Sequence, residues 1–216
     1  MHSDIPKQYM DLDGYPVIYY ALRAFEESDV DEIVLVTAPE DVAFCRKNIV
    51  EKYGFRKVCA VVGGGEERYL SVYEGLKATE AEYVLIHDGA RPLIDEESIR
   101  LCMESVAREK ACVLATPVKD TIKVIDTDGY AAQTPDRSML WAVQTPQCFE
   151  RVLLMRAYAR LFERLEAGTL CAPITDDAMI VEQMTGQKVR LIRGKYTNIK
   201  ITTPEDMDVA KIFLNR

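Results

Sequence analysis

The chain has 216 residues, of which 48% are hydrophobic and 29% are charged, a composition typical of a globular domain with a sizeable core. Its formal net charge of −8 argues against a protein that coats nucleic acid or a membrane surface, because both partners require a broad basic face. We therefore expect any anionic ligand to be held by a few local cations.

Short apolar runs alternate with longer helical patterns over the first half of the chain. Strands that are buried on both faces and separated by helices predict an α/β fold with a mostly parallel sheet. Gly54 supplies a helix stop. The predicted strands span 32–39, 57–62, 83–92 and 111–118, and the predicted helices span 16–28, 39–54, 69–81 and 95–110.

The alternation breaks at 119–137, where Asp128 and Gly129 lie between two polar, weakly alternating stretches. An Asp-Gly pair in that setting is a hairpin signal, so we expect a β-arm that projects from the sheet. Thr203 is a plausible N-cap for the last helix, with Pro204 at its first position. The remaining predicted elements are helices at 150–168, 175–186 and 203–216 and strands at 188–194 and 197–203. The whole chain, 1–216, is interpreted as one domain with one arm.

Cysteine usage and hydropathy indicate the cellular compartment. The six cysteines are scattered without a C-x-x-C pair, which favours buried, reduced thiols. No apolar run approaches the roughly 18 residues of a membrane span, and no secretory signal pattern is present. These features predict a soluble, cytoplasmic protein. The cysteines are Cys45, Cys59, Cys102, Cys112, Cys148 and Cys171.

Ligands of open parallel sheets bind beyond the carboxyl ends of the strands, so the residues that follow each strand are informative. Gly63, Gly64 and Gly65 follow the second strand and allow the backbone to approach a ligand closely. The helix behind them offers unpaired N–H groups to an anion, and Ser71 could add a hydroxyl. This turn is neither a Walker loop nor G-x-G-x-x-G, so a purely structural strand-to-helix turn stays open.

A second group follows the strand at 83–92. Asp88 suits Mg²⁺, which takes one or two carboxylates together with waters and substrate phosphates. Arg91 suits a phosphate as a bidentate donor. An Asp–Arg pair that only ends the strand is the alternative. His87 is interpreted as a structural histidine without a catalytic role.

A third group consists of cations and threonines in the second half of the chain. Lys200 falls in a predicted strand, where an inward-facing lysine needs an anionic partner. Each of these residues alone is equally compatible with a solvated surface, and only convergence in space would make a site. With no Ser/His or Cys/His nucleophile pattern, the residues favour phosphate handling by a transferase. The group comprises Lys119, Lys123, Arg137, Lys200, Thr121, Thr145 and Thr175.

Six motifs occur in a fixed order: PKQY, GGGEER, HDGARP, QTPQ, TDDA and NIKITTPED. In these motifs the chain from Pro6 to Asp206 resembles the 2-C-methyl-D-erythritol 4-phosphate cytidylyltransferases of the non-mevalonate isoprenoid pathway. The resemblance implies a Rossmann-like nucleotidyltransferase fold. It also implies transfer of CMP from CTP to methylerythritol phosphate, with release of pyrophosphate and Mg²⁺ bridging the nucleotide phosphates.

The resemblance assigns roles to individual residues. Lys7 would neutralise the CTP phosphates, and Arg137 and Lys200 would position methylerythritol phosphate for attack, which makes these three the expected catalytic residues. Asp88 would be the Mg²⁺ ligand, and Glu66 replaces an aspartate that some members carry. The nucleotide would contact Gly64, Gly65, Glu66, Ser71, Asp88 and Gly89. The polyol phosphate would contact Arg91, Thr121, Thr145 and Thr175.

Two further expectations concern the arm and the N-terminus. The family's β-arm exchanges with a second subunit, so we expect a homodimer in which Thr121 and Arg137 complete the neighbour's site. Family members begin with a strand and a glycine-rich loop, A-A-G-x-G-x-R-M, for which this sequence has no counterpart. We expect the DNA upstream of the Met1 codon to encode that segment in frame.

Two other functions remain open at this point. One is ribitol-5-phosphate cytidylyltransferase, a sister activity that shares most of the motifs, although DRSMLWAVQTPQ looks more like the methylerythritol group. The other is a catalytically impaired, nucleotide-binding dimer that has lost the glycine-rich loop. An arginine aimed at transition-state charge contributes on the order of 10²–10³ in rate, so its loss could abolish turnover.

Overall fold

Helices pack on both faces of a mixed β-sheet in the computed structural model, which describes residues 6–170 and 172–215. The α/β class predicted from the sequence is confirmed. The strands are β1 (Asp11–Leu12), β2 (Tyr15–Pro16), β3 (Ile33–Thr37), β4 (Val58–Gly63), β5 (Tyr83–Ile86), β6 (Ala111–Pro117), β7 (Val124–Ile125), β8 (Ala131–Gln133), β9 (Trp141–Glu150) and β10 (Arg190–Arg193). The helices are α1 (Val17–Glu27), α2 (Val42–Cys45), α3 (Arg68–Lys77), α4 (Glu96–Glu109), α5 (Arg151–Glu166), α6 (Asp177–Thr185) and α7 (Pro204–Leu214).

The main sheet has four strands in the order β10-β6-β9-β5. Strand β6 pairs in parallel with β10, while β9 pairs antiparallel with both β6 and β5. Three of the four strands therefore run in one direction. Strands β3 and β4 form a separate parallel pair.

The period-two alternation of β6 explains how the sheet holds two helical layers. Ala111 and Val113 pack with α5 and α6, whereas Cys112 and Leu114 pack with α1 and α4. All four side chains are fully buried, as expected of a central strand covered on both faces. The cysteines were expected to be buried thiols. Cys59 is exposed, whereas the other described cysteines are buried. Cys171 lies outside the described residues.

A groove of about 910 Å³ separates the two sheets. It runs between β3, which pairs with β4, and β5, which pairs with β9, so the facing edges of β3 and β5 have no strand partner within residues 6–170 and 172–215. Its lining is largely apolar and includes Ile18, Leu22 and Phe25 of α1. One further strand between these edges would join the sheets.

The hairpin signal at Asp128 and Gly129 corresponds to an antiparallel ribbon of β7 and β8. The backbone closes the turn with a hydrogen bond from Asp126 N to Tyr130 O, at 3.0 Å. Gly129 has a φ of +86°, a conformation that glycine adopts without strain. The use of this ribbon as an arm between subunits stays a prediction.

Two sequence-based interpretations of secondary structure are corrected. The ten-residue strand β9 was not predicted, because its polar residues and Pro146 break the apolar pattern of a central strand. Conversely, residues 197–203 are not a strand. Their backbone groups bond elsewhere: Ile201 N donates to Ala90 O at 2.8 Å, and Thr202 N and Thr203 N donate to Asp206.

Helix ends follow the capping signals in the sequence. The Asp206 carboxylate accepts from the backbone of the Thr203 N-cap at 2.8 Å, and Pro204 occupies the first turn of α7 as predicted. Gly54 and Gly168 adopt φ values of +70° and +62° just beyond the helices they end. The helix predicted at 39–54 continues from α2 into a π-helical stretch at Arg46–Glu51.

Within the part of the chain that the structure describes, no helix is both long enough and apolar enough to cross a membrane.

Candidate active site

The turn from β4 to α3 packs its glycines against a serine. A β-carbon on Gly64 would lie 2.9 Å from Ser71 Cβ, so the chain needs glycine there for steric reasons. Gly65 N donates to Ser71 Oγ at 3.2 Å, and Gly64 N donates to Thr37 O of β3 at 2.7 Å. The turn is therefore fixed to both neighbouring elements. Glu66 is exposed at its tip.

Asp88, in the loop after β5, is surrounded by cations from three parts of the chain. Its Oδ2 atom lies 2.9 Å from Lys200 Nζ and 3.8 Å from Arg91 Nε, and its Oδ1 atom lies 3.4 Å from Arg68 Nε. Burial alone would raise the pKa of Asp88, but Lys200, Arg68 and Arg91 outweigh burial and hold that pKa below its usual value. The carboxylate thus stays ionised and gathers three positive charges.

Arg91 links this cluster to the loop that carries Lys200. Its Nη1 atom donates to Asn198 O at 2.8 Å. The Asn198 side chain in turn donates to Thr145 O at 2.8 Å, and Asn198 itself is almost fully buried. The Arg91 side chain is only 12% exposed, and its Nε atom has no hydrogen-bond partner in the described structure. The guanidinium is therefore held in a fixed orientation beside the cavity.

Arg68 is held from its other side by a buried carboxylate. Arg68 Nη1 donates to Asp177 Oδ2 at 2.7 Å, and Tyr158 donates its hydroxyl to Asp177 Oδ1 at 2.9 Å. Burial lowers the pKa of Arg68, but the charges of Asp177 and Asp88 overcome burial and raise it above the ordinary value. Burial raises the pKa of Asp177, an effect that Arg68 and Tyr158 oppose.

His87 orients the loop of Asp88 through a chain of hydrogen bonds. Its Nε2 atom lies 3.0 Å from the carbonyl oxygen of Arg91. Because a carbonyl oxygen can only accept, Nε2 carries the proton and donates it there. The other ring nitrogen, Nδ1, then accepts from the Thr145 hydroxyl at 3.0 Å. Thr145 Oγ1 accepts from Asp88 N at 3.1 Å. Burial lowers the pKa of His87 to about 4, in agreement with the neutral ring that this pattern requires. The histidine therefore has a structural role, as predicted from the sequence.

These groups line a cavity of about 210 Å³ at the carboxyl end of β5. Arg68, Arg91 and Lys200 contribute guanidinium and ammonium groups, and Thr175 lies on its wall. Cations with a polar lining in a small cavity bind phosphate groups. Among the described residues, no cluster of three or more metal-ligating side chains exists.

Other residues singled out from the sequence do not line this cavity. Lys7 is exposed in a short 3₁₀ turn, whose Tyr9 hydroxyl bonds to Thr37 Oγ1 at 2.5 Å, and Thr121 is exposed. In the same region Arg137 Nη1 donates to Lys119 O at 3.0 Å. Gly89 lies at the edge of the larger groove.

Lys119 and Lys123 make contacts away from Lys200. Lys119 Nζ lies 3.8 Å from the centre of the Tyr196 ring, and Lys123 Nζ donates to Thr134 Oγ1 at 2.6 Å. Of the four cations grouped in the sequence analysis, Lys200 lines the small cavity, whereas Lys119, Lys123 and Arg137 of the same chain do not.

Three residues of the site carry no role in the sequence interpretation. Arg68 and Asp177 form its buried ion pair. Gln147 Oε1 accepts from Asp177 N and Ala178 N, at 3.0 Å each, and so fixes the start of α6. One signal was available: Arg68 opens helix α3, where the helix dipole disfavours a cation, so an anionic partner was to be expected.

Comparisons with known proteins show which family the chain resembles. A family model described as 2-C-methyl-D-erythritol 4-phosphate cytidylyltransferase matches residues 1–216. The chain is 53% identical over 216 residues to a protein of that name from Lachnospira eligens, covering 99% of this chain and 93% of the relative. A protein of the same name from Caldanaerobacter subterraneus subsp. tengcongensis is 45% identical, with 100% and 93% covered.

Solved structures share the fold. The crystal structure of a 4-diphosphocytidyl-2C-methyl-D-erythritol synthase from Anaerococcus prevotii matches with a TM-score of 0.86 at 35% identity, covering 98% of this chain and 91% of that one. That of a 2-C-methyl-D-erythritol 4-phosphate cytidylyltransferase from Thermus thermophilus matches with a TM-score of 0.79 at 29% identity, with 98% and 95% covered. The predicted Rossmann-like nucleotidyltransferase fold is confirmed.

The hydrogen bonds of Thr145 lead to a prediction about stability. Thr145→Val keeps the shape but leaves Asp88 N and His87 Nδ1 without partners, so we expect the free energy of unfolding to fall by about 1–3 kcal/mol. Thr145→Ser keeps the hydroxyl and serves as the control. Urea denaturation of both variants checks the prediction, and an equal loss of stability in the two would contradict it.

Proposed function

The chain belongs to the 2-C-methyl-D-erythritol 4-phosphate cytidylyltransferase family, and from this premise we propose that it transfers CMP from CTP to 2-C-methyl-D-erythritol 4-phosphate. The products are CDP-methylerythritol and pyrophosphate, and the reaction serves isoprenoid precursor biosynthesis. Neither ribitol-5-phosphate transfer nor loss of activity finds support in the relatives, which carry the name of the methylerythritol enzyme.

The observation that carries this function is the cluster of Arg68, Arg91 and Lys200 around Asp88. The carboxylates of Asp88, Asp176 and the buried Asp177 balance these cations, but two guanidinium groups and an ammonium group line the cavity, where they can donate to phosphate oxygens. The reaction brings together a triphosphate and a monophosphate, whose mutual repulsion opposes their approach. Fixed positive charge at the meeting point lowers that repulsion and stabilises the transition state.

The proposed reaction forms one phosphorus–oxygen bond and breaks another. An oxygen of the methylerythritol phosphate attacks the α-phosphorus of CTP, and the bond from that phosphorus to the bridging oxygen of the β-phosphate breaks. Pyrophosphate leaves with the bonding electron pair, so its negative charge grows as the bond lengthens. Lys200 and Arg91 hold the attacking phosphate, and Lys7 stabilises the charge on the nucleotide phosphates.

The nucleotide side of the site is formed by the glycine-rich turn. Backbone N–H groups at the start of α3 suit an anion or a base edge, and Ser71 already holds the turn through Gly65 N. We assign Gly64, Gly65, Glu66, Ser71 and Gly89 to nucleotide binding. On the other side, Thr175 lines the small cavity together with Lys200 and Arg91, which supports its assignment to the polyol phosphate. We also assign the Thr145 hydroxyl to the polyol phosphate, although it bonds to His87.

A divalent cation, Mg²⁺, is part of the proposal. The cavity is lined by two carboxylates, and Asp176 uses its own for Met179 N and Gln147 Nε2. Asp88, whose oxygens pair with Lys200, Arg68 and Arg91, is the acidic ligand we propose, because one carboxylate fits Mg²⁺ when phosphates and waters supply the rest. The ion would neutralise part of the charge on the nucleotide phosphates.

The proposal also includes a homodimer formed by a single domain, 1–216, through the arm at 119–137. Large apolar side chains on this ribbon are open to solvent: Ile125 is 64% exposed and Tyr130 is 74% exposed. Apolar groups grouped on a short ribbon favour contact with another protein surface. Thr121 and Arg137 would then reach the cavity of the second subunit. We place the enzyme in the cytoplasm.

A coupled assay of pyrophosphate release tests the function. With CTP and Mg²⁺, we expect release with 2-C-methyl-D-erythritol 4-phosphate and little or none with ribitol 5-phosphate, because only the first matches the family's reaction. Turnover with ribitol 5-phosphate alone would overturn the proposed substrate. Binding of CTP without turnover with either would overturn the proposed activity.

The ribbon leads to a prediction about oligomeric state. Light scattering should give twice the chain mass for the wild-type protein and the chain mass for Ile125→Glu, because a charge at this apolar position would have to be buried in the dimer. Ile212→Glu changes an equally apolar, 57% exposed residue of α7 and serves as the control. A dimer that survives Ile125→Glu, or a monomeric wild type, would contradict the proposed arm.

A further inference from the structure

Asp177 is a completely buried carboxylate that the mechanism above does not use. Its two oxygens divide their work: Oδ2 accepts from Arg68 and Oδ1 accepts from the Tyr158 hydroxyl. Its backbone N–H donates to Gln147 Oε1, which holds the first residue of α6 in place. Two contacts on the carboxylate and one on the backbone, from three different elements, thus fix this one residue.

The position of Tyr158 makes this anchor rigid. Tyr158 is fully buried, and its ring stacks on Tyr73 of α3 at a centroid distance of 5.7 Å and packs against Phe162. A phenol clamped on both sides can present its hydroxyl in few directions. Asp177 therefore offers Oδ2 to Arg68 from a fixed point, and helix α3 carries both Arg68 and the ring that fixes its partner.

Arg68 lies between the two halves of the site. It directly follows the glycine-rich turn, and its side chain lines both the large groove and the small cavity. Its Nη1 donates to Asp177 and its Nε donates to Asp88, so the hydrogen bonds of Arg68 within the described residues use two of its three nitrogens. Because the guanidinium is planar and rigid, fixing two of its nitrogens also fixes the direction of the third.

We infer that Asp177, braced by Tyr158, is a positioning residue that holds Arg68 so that its Nη2 donates to the nucleotide phosphate that leaves as pyrophosphate. This rests on the proposed function. Arg68 lines the large groove beside the glycine-rich turn as well as the small cavity, whereas Lys200 and Arg91 line the small cavity but not the groove, so the guanidinium is the cation shared with the nucleotide side. Asp177 acts through Arg68 and does not itself touch a substrate.

Simple electrostatics and positioning predict opposite effects of removing the Asp177 charge. Replacing a nearby carboxylate by an amide makes the cavity more positive, which by Coulomb attraction alone would tighten the binding of pyrophosphate. If Asp177 orients Arg68, Asp177→Asn frees the guanidinium to rotate, and binding weakens. The sign of the change therefore separates the two accounts without reference to turnover.

The test is a double-mutant cycle read by calorimetric titration of inorganic pyrophosphate in the presence of Mg²⁺. Asp177→Asn and Arg68→Lys should each weaken binding by about tenfold, since a charge-assisted hydrogen bond is lost or misdirected. The double variant should be no weaker than Arg68→Lys alone, because Asp177 then has no guanidinium to orient. Glu80→Gln, which removes an 88% exposed partner of Arg151, is the control and should leave binding unchanged.

Several outcomes would overturn the inference. These are unchanged or tighter binding by Asp177→Asn, losses that multiply in the double variant, or a wild-type protein that does not bind pyrophosphate. Should Asp177→Asn fail to fold, Tyr158→Phe replaces it in the cycle, because it removes the brace and leaves the ion pair. A wild-type protein that binds pyrophosphate but releases none from CTP would refute the proposed function and leave the cycle decisive for Arg68.

Discussion

The ion pairs of Asp88 are the interaction on which the candidate site depends. They bring Arg68 at the start of α3, Arg91 beyond β5 and Lys200 before α7 to one carboxylate, although these residues are far apart in sequence. Three cations at close range repel one another, and the carboxylates of Asp88, Asp176 and Asp177 offset that repulsion. In a chain with a net charge of −8, three cations gathered at one small cavity are a departure from the average surface and suit an anionic ligand.

The cluster keeps its geometry because polar groups beneath it hydrogen-bond inside the protein, with Asn198 Oδ1 as an exception. Thr145 joins Asp88 N to His87, Gln147 holds the start of α6, and Asn198 ties the loop of Lys200 to β9. All three partners on β9 and its neighbouring loop are nearly fully buried, where an unpaired polar group would be costly. The cations therefore project from a rigid floor, which lowers the reorganisation needed when charge develops in the reaction.

Much of the fold could be predicted because its signals are local. The side chains of strand β6 alternate between the two faces of the sheet, Gly54 and Gly168 end helices, and Asp128-Gly129 marks a turn. Each of these patterns spans only a few residues. Asp88 and Arg91 could be found because they follow an apolar strand. Strand β9 could not, since its polar residues face long-range partners, and neither could the loop around Lys200, whose backbone bonds to other loops. The pairing of Arg68 with Asp177 depends on residues 109 positions apart, which no local pattern encodes.

The central claim is that the cations around Asp88 hold the reacting phosphates, and Lys200 tests it most directly. We predict that Lys200→Ala lowers kcat/KM for CMP transfer to methylerythritol phosphate by about 10²–10³, the effect of losing one donor aimed at transition-state charge. Lys211→Ala, at an exposed position of α7, should leave kcat/KM within about twofold. Equal, small effects of both substitutions, in variants that remain folded, would contradict the account.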